Sequence, residues 1–388
     1  MDYNFDEIID RENTSCYKYD LREKYFGMRD ILPMWVADMD FRTPDFVIKA
    51  IQQRLKHEIL AYTYRSDSVY ESVMSWLERR HRWKVHQEWI GFTPGVVPAL
   101  NLAVLAFTDP GDKIIIQTPV YFPFFTAVKD HDRQLVVNPL ILNKGRYEMD
   151  LDQLKSQIDS RTRMLILCSP HNPTGNVWRK KELEELAKIC IENQILILSD
   201  EIHADIVFSG HQHIPLASIS EEIAENVVTL TSPSKTFNFA GMSISYFIAS
   251  NSNHFRRMNG MIEKLHLASG SIFGDVALEA AYIYGDTWLK ELLSYLENNV
   301  ALAEEFINNE LPEIELIKPE ATFLLWIDFR KLSIEAKVLQ QKLIDEAGLG
   351  LSEGSMFGSN GLGFQRMNIG CPASTVKKAL VSIRDTLF

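Results

Sequence analysis

Residues 226–238 read NVVTLTSPSKTFN, an apolar, β-branched run followed by a polar turn that carries one lysine. The run, Asn226 to Thr231, has the length and composition of a buried strand. The turn places Lys235 among the hydroxyls of Ser232, Ser234 and Thr236. An ε-amine becomes a nucleophile toward carbonyl groups when its surroundings depress its pKa. Neighbouring hydroxyls can hold a phosphate on the molecule it captures. A solvated turn would carry the same letters, so the reading depends on what stands at the ends of the other strands.

The pattern of apolar run and turn recurs along the chain. Lys113 to Gln117 (KIIIQ) follows the turn Asp109-Pro110-Gly111-Asp112, and Leu135 to Pro139 comes next. Arg163 to Cys168 (RMLILC) precedes a helical pattern from Lys180 to Glu192, and Ile195 to Ser199 and Ile244 to Ala249 follow. Short runs without alternation predict strands buried on both faces, as in a mostly parallel sheet covered by helices. Thr43-Pro44-Asp45 predicts a helix to about His57, with Thr43 as its N-cap and Pro44 as its first residue. Thr287 to Asn309 reads as a long helix, with a helical start also at Pro98 to Phe107. Beyond Pro312 the order changes to strand (Thr322 to Asp328), helix (Ile334 to Ala347), glycine-rich loop (Gly348 to Gly363), strand (Phe364 to Ile369) and a helix after Pro372. The expected fold class is α/β. A large domain, residues 45–285, carries a mostly parallel sheet. A smaller α+β domain combines residues 1–44 and 286–388.

Bulk composition narrows the function. The chain has 388 residues, 46% hydrophobic and 24% charged, with 40 basic and 52 acidic side chains for a net charge of −12. No basic run interleaved with aromatics is present, so no nucleic-acid partner is expected. The four cysteines, Cys16, Cys168, Cys190 and Cys371, form no C-x-x-C pair, which fits a reduced, cytoplasmic chain without a metal site. The acidic N-terminus does not read as a signal peptide. No apolar run approaches the ~20 residues that span a bilayer.

Four features upstream of Lys235 give it a context. Thr93-Pro94-Gly95-Val96-Val97 opens a helix, where free N–H groups and the helix dipole bind phosphate. Thr118-Pro119-Val120-Tyr121 ends a strand with a ring that can stack on a flat ligand. Ser169-Pro170-His171-Asn172-Pro173-Thr174-Gly175 is a rigid loop that aims the amide of Asn172. Ser199-Asp200-Glu201-Ile202-His203 sets an acid at the end of a buried run, which is costly without a cationic partner. Asp200 also suits a helix N-cap. A phosphate seat, a stacking ring, a donor for a phenolate oxygen, a carboxylate for a ring nitrogen and an amine for an aldehyde together describe a site for pyridoxal 5'-phosphate, the electron sink for a carbanion at the substrate α-carbon.

On these motifs the chain resembles the fold-type I pyridoxal-phosphate enzymes of the aminotransferase class I/II superfamily. With Leu32 to Phe41 (LPMWVADMDF) and Phe364 to Pro372 (FQRMNIGCP), it is similar to the cystathionine β-lyase branch, the MalY/PatB-type C–S lyases. The resemblance covers essentially the whole chain and implies that the large domain's sheet is of the seven-stranded type. It also implies that Lys235 bonds the cofactor aldehyde and then moves protons at the α-carbon. Asp200 would pair with the ring nitrogen, Asn172 with the ring oxygen, and Tyr121 would stack. Val96 and Val97 amides with the Ser232 and Ser234 hydroxyls would hold the phosphate, and His203 stands where many relatives have a tyrosine at the ring oxygen. Arg366 would clamp the substrate carboxylate, with Trp35 and Tyr121 beside the substrate. Phe122, Phe124, Phe357 and Phe364 are further candidates for the pocket wall. Tyr62 would reach the phosphate of a neighbouring subunit, which implies a homodimer.

Residues 236–243, TFNFAGMS, lack the arginine that most aminotransferases of the superfamily place after the lysine. This departure favours α,β-elimination on cystathionine or a related S-substituted cysteine, giving pyruvate, ammonia and a thiol. An aminotransferase is the alternative, and a non-catalytic cofactor-binding regulator a more distant one.

Overall fold

The computed structural model describes residues 3–388. Seven strands form the large sheet: Ile90–Thr93 (β1), Lys113–Ile116 (β2), Gln134–Val137 (β3), Thr162–Cys168 (β4), Leu196–Asp200 (β5), Val227–Thr231 (β6) and Ser245–Ile248 (β7). Their spatial order is β1-β7-β6-β5-β4-β2-β3. All neighbours from β6 through β3 run parallel, and β7 is antiparallel to both β1 and β6.

The strand residues lack polar alternation because each face has its own core. Ile114, Ile116, Met164, Ile166, Leu198, Val228 and Leu230 enter one core, under the helix Val96–Phe107. Ile115, Leu165, Leu167, Ile197 and Val227 enter the other, under the helix Lys180–Glu192. Period-two orientation along a strand sorts the residues, and apolar burial on both sides removes the need for a polar face.

Four further strands, Glu315–Ile317 (β8), Leu324–Asp328 (β9), Ser352–Glu353 (β10) and Phe364–Asn368 (β11), make an antiparallel sheet in the order β8-β9-β11-β10. The long helix spans Asp286–Glu310 and the last one Ala373–Leu387. Leu32 and Pro33 of the N-terminal arm pair in parallel with Leu349 and Gly350, which joins the arm to this second unit.

Three differences from the sequence expectation have clear causes. The helix expected from Thr43 begins at Asp45, with Pro44 at the cap and no side-chain cap. The Thr43 hydroxyl instead donates to the Asn238 carbonyl, 2.9 Å away, on the turn that carries Lys235. Strand β1 escaped notice because it is four residues long and contains Gly91. A Cβ there would stand 2.1 Å from the Phe247 ring of β7. The helix Ile272–Tyr284 escaped because its apolar residues show little sidedness, and it packs between the helices Asp45–Leu55 and Asp67–His81.

Candidate active site

Strand register decides where the site lies. Cys168 of β4 is level with Asp200 of β5, which is level with Leu230 of β6. Neighbouring strands lie about 4.8 Å apart. The loops that begin at Ser169, Glu201 and Ser232 therefore leave the sheet side by side, at the carboxyl edge where ligands bind in such folds. On one flank, Ile116 of β2 is level with Ile166 of β4, so the Thr118 to Tyr121 loop leaves at the same height. On the other, Thr93 at the end of β1 faces Ser245 at the start of β7.

These loops enclose a cavity of about 240 Å³ lined by Val96, Val97, Tyr121, Asn172, Asp200, His203, Ser234 and Lys235. The first helical N–H groups, those of Val96 and Val97, have no intrahelical partner. Pro98 brings no N–H, and Ala99 already donates to Gly95. The helix thus offers two free amides to the cavity.

Burial sets the ionisation of the central pair. Asp200 is buried, which pushes its carboxyl up to about 7. The Ile202 N–H, 3.2 Å from Oδ1, holds it down in part, Glu201 pushes it further up, and Lys235 pulls it back. Burial lowers the Lys235 amine to about 8, with Asp38 and Asp200 opposing and Arg366 reinforcing the shift. Its Nζ donates to the Ala37 carbonyl.

His203 is buried, and desolvation first, then Lys235 and Arg366, bring its imidazole down to about 3. Its Nδ1 is buried without a hydrogen-bond partner among the described residues. The Arg366 Nε is in the same condition. Arg366 donates from Nη1 to Asn172 Oδ1 at 3.1 Å, and from Nη2 to the Trp35 carbonyl at 2.7 Å and Ser352 Oγ at 3.2 Å. The Asn172 oxygen is thereby occupied, which leaves its NH₂ for a ligand. Burial lowers Arg366 to about 10. The Tyr121 phenol is raised chiefly by burial, with Arg366 opposing.

A partnerless buried imidazole nitrogen, two free amides and a buried acid facing an amine fit pyridoxal phosphate. Each is a polar group that costs energy until a ligand answers it.

Several expected residues are placed differently. Ser232 lies behind the turn: its hydroxyl stands 2.7 Å from the Ile244 carbonyl and 2.8 Å from Ser234 Oγ, and it accepts from the Ser234 N–H at 3.1 Å. It braces the turn, and Ser234 is the serine that lines the cavity. Trp35 meets the site through its carbonyl on Arg366. Phe124, Phe357 and Phe364 are core residues rather than pocket wall. Phe357 lies under the Arg366 guanidinium, 4.9 Å from it, and Phe364 stacks on Trp326 at 4.9 Å. Tyr62 is fully exposed, outside the cavity of its own chain.

Other residues had no sequence reading. Asp205 accepts from Thr236 Oγ1 at 2.8 Å and from Trp76 Nε1 at 3.1 Å, and pairs with His81 Nε2 at 2.9 Å. Asn238 donates to the carbonyls of Met39 and Phe41 at 2.8 and 2.7 Å and accepts from the Met39 N–H at 3.0 Å. Residues 232, 234, 236 and 238 are thus all tied down, and Lys235 is left to project from the turn. The alternation of polar residues in SPSKTFN was the available signal. In SPHNPTG, Gly175 has φ 74°, and a Cβ on it would come within 2.6 Å of Pro319 Cβ. That glycine serves the contact with the second unit, whereas Asn172 lines the cavity.

Residues 29–383 match the family model for aminotransferase class I and II. The chain is 40% identical to cystathionine β-lyase PatB of Bacillus subtilis (strain 168), over 99% of this chain and 100% of the relative. Among solved structures, cystalysin from Treponema denticola, which contains a pyridoxal 5'-phosphate cofactor, superposes with a TM-score of 0.96 at 35% identity, covering 100% of this chain and 99% of the other. The PLP-bound C–S lyase from Staphylococcus hominis gives 0.93 at 36% identity, over 99% and 98%. The fold, the strand-end lysine with its acid, and these matches place the chain in the aminotransferase class I and II family.

Proposed function

We propose that this chain is a pyridoxal-phosphate-dependent carbon–sulfur β-lyase, acting by α,β-elimination on cystathionine or a related S-substituted cysteine. The observation that carries this reading is the gathering of Lys235, Asp200 and Asn172 around one cavity, with Arg366 bonded to Asn172. The lyase names of its relatives support the same reaction.

In this reading Val96, Val97 and Ser234 would hold the phosphate, Asp200 would serve the ring nitrogen, Asn172 and His203 the ring oxygen, and Tyr121 would cover the ring. When bound, the cofactor supplies an aldehyde that takes up an amine and a ring that draws off the electron pair released at the substrate α-carbon. Asp200 would favour the proton on the ring nitrogen and so deepen that withdrawal. Arg366 holds the substrate carboxylate through paired N–H donors, a geometry its planar fork provides. Lys235 would act as the base that takes the α-proton. An amine brought down to about 8 is matched to that task near neutral pH. Loss of the thiolate from the β-carbon completes the elimination, and water converts the three-carbon remainder to pyruvate and ammonia.

The proposal extends to a homodimer in the cytoplasm. Tyr62 sits with Ile59, Leu60 and Tyr64 on an exposed apolar segment, which supports contact with a second copy whose site Tyr62 would enter. Four free cysteines support a reducing compartment, and no helix among the described residues is long and apolar enough to cross a membrane. The division into residues 45–285 and 1–44 plus 286–388 is supported by the confinement of the two main sheets to residues 90–248 and 315–368.

Cofactor-loaded protein given cystathionine without any keto acid tests the reaction. Pyruvate release is the expected result. Amino-group transfer from alanine that requires an added keto acid, with no release from cystathionine, would replace the lyase by an aminotransferase.

A further inference from the structure

With three of the expected pocket phenylalanines in the core, the exposed rings near the site come from elsewhere. Tyr17, Tyr25 and Trp35 form a cluster with ring centroids 5.7, 5.5 and 4.6 Å apart, and Phe26 meets Trp35 edge-on at 5.5 Å. Tyr17 and Tyr25 join their hydroxyls, and Trp35 Nε1 donates to the Lys18 carbonyl at 3.1 Å. These bonds fix the rings, yet Tyr17 remains 53% and Tyr25 46% exposed. A pre-ordered aromatic surface left open is a feature of binding sites.

The cluster adjoins the reacting centre. The Trp35 carbonyl accepts from Arg366, which anchors the substrate carboxylate. Two residues on, the Ala37 carbonyl accepts from Lys235. Two residues of extended chain span at most about 7 Å. The Tyr17 phenol is raised first by its hydrogen bond to Tyr25, then by desolvation, and to a smaller extent by the nearby phenols of Tyr25 and of Tyr121, a residue of the cavity wall. Phe122, 39% exposed, has its ring centroid 5.1 Å from that of Tyr121.

The surface carries little charge. Lys18 and Arg11 behind it are engaged by Asp38 and Asp40. Among the described residues the one cation over these rings is Lys24, with Nζ 5.7 Å from the Tyr25 ring. Among the described residues no guanidinium lies over these rings, so a distal amino-carboxylate such as cystathionine bears would meet the single Lys24 ammonium rather than a paired fork.

The geometry points to Tyr17, Tyr25 and Trp35 as the subsite for the sulfur substituent of the substrate, selecting neutral, apolar or aromatic thiol groups over zwitterionic ones. This rests on the lyase reading for the identity of the departing group. The subsite itself concerns how the amino acid binds.

Two measurements on the cofactor-loaded protein test it. Pyruvate release gives kcat/KM for S-benzylcysteine, S-methylcysteine and cystathionine, and the change in cofactor absorbance gives the affinity for the first two. The wild type is expected to favour the benzyl over the methyl compound by about 10- to 100-fold. Tyr25→Ala and Tyr17→Ala should each bring that ratio several-fold toward one, in affinity as well as in turnover. An equal drop for both compounds, a wild-type preference for cystathionine over S-benzylcysteine, or a change of oligomeric state in Tyr25→Ala would overturn the subsite; the last would give these rings to a second copy. If no compound yields pyruvate, the lyase reading falls. The affinity ratio and its response to Tyr25→Ala still decide the subsite.

Discussion

Lys235 meets two kinds of neighbour. Beneath it lie the ends of β4, β5 and β6, where Asn172, Asp200 and the turn itself are set by the hydrogen-bond register of a buried parallel sheet. Above it runs residues 35–41, chain without regular structure apart from turns and bends. That stretch is held by side chains reaching its carbonyls: Arg366 to Trp35, Asn368 to Val36 and Asp38, Asn238 to Met39 and Phe41. Behind it Lys18, only 1% exposed, is 2.7 Å from Asp40, and Arg11 bridges Asp38 and Asp40 at 2.8 and 2.6 Å. A floor fixed by backbone bonding tolerates a changed side chain with loss of chemistry alone. A roof fixed by side chains should lose order along with any of its ties.

The floor should show the largest effects. Lys235→Ala removes the base and should lower pyruvate release by about 10³-fold or more while far-ultraviolet circular dichroism stays unchanged. A fall of less than tenfold would take the central role from this lysine. In the cofactor-free wild type, capture of an aldehyde should quicken as pH rises through about 8, since only the neutral amine attacks.

Asp200→Asn should cost about 10²-fold in turnover, and its stability tests the raised pKa. The folded carboxyl titrates near 7, above its ordinary 3.8. The unfolded chain therefore releases this proton at lower pH, and the group's contribution to stability falls as pH rises from about 4 to 7. Cofactor-free Asp200→Asn should gain melting temperature relative to wild type across that window. A constant difference would mean that the folded carboxyl is not raised above its unfolded value.

The roof is probed by Asp40→Asn. Removing one partner from a buried ion pair costs about 3–5 kcal/mol, because the remaining charge stays buried. Lys18 is that charge. Loss of stability together with a raised KM would tie the arm to the site, whereas unchanged KM would make the arm a separate scaffold. The smallest effect should come from a brace behind the lysine turn. Thr236→Val breaks the bond to Asp205 and should lower kcat about tenfold, and Thr236→Ser should restore it, since the hydroxyl rather than the methyl makes the bond. Equal loss in both variants would point to packing instead.

The contrast also explains what could be read without a structure. The floor was legible because each of its residues directly follows an apolar run, and such runs are easy to find: Cys168 before Ser169, Ser199 before Asp200, Thr231 before Ser232. The roof was legible only as a string, LPMWVADMDF, that resembled a known branch. Its bonds pair residues about 200 to 330 positions apart, such as Met39 with Asn238 and Val36 with Asn368. No local periodicity marks such pairs. The same holds for the pocket aromatics. Phe124, Phe357 and Phe364 look in sequence like Tyr17 and Tyr25, and packing alone decided that the first three are core and the last two are surface.

The sequence by itself determined six of the seven strands of the sheet, their order along the chain and the kind of chemistry, because burial on two faces and the residue after each strand are local properties. Tertiary structure alone decided which serine faces the cavity, which aromatic rings are core and which stay exposed, and that an exposed turn lysine in appearance is a buried amine of pKa about 8. Those outcomes depend on desolvation and distance, and both arise only when segments far apart in the chain are brought into contact.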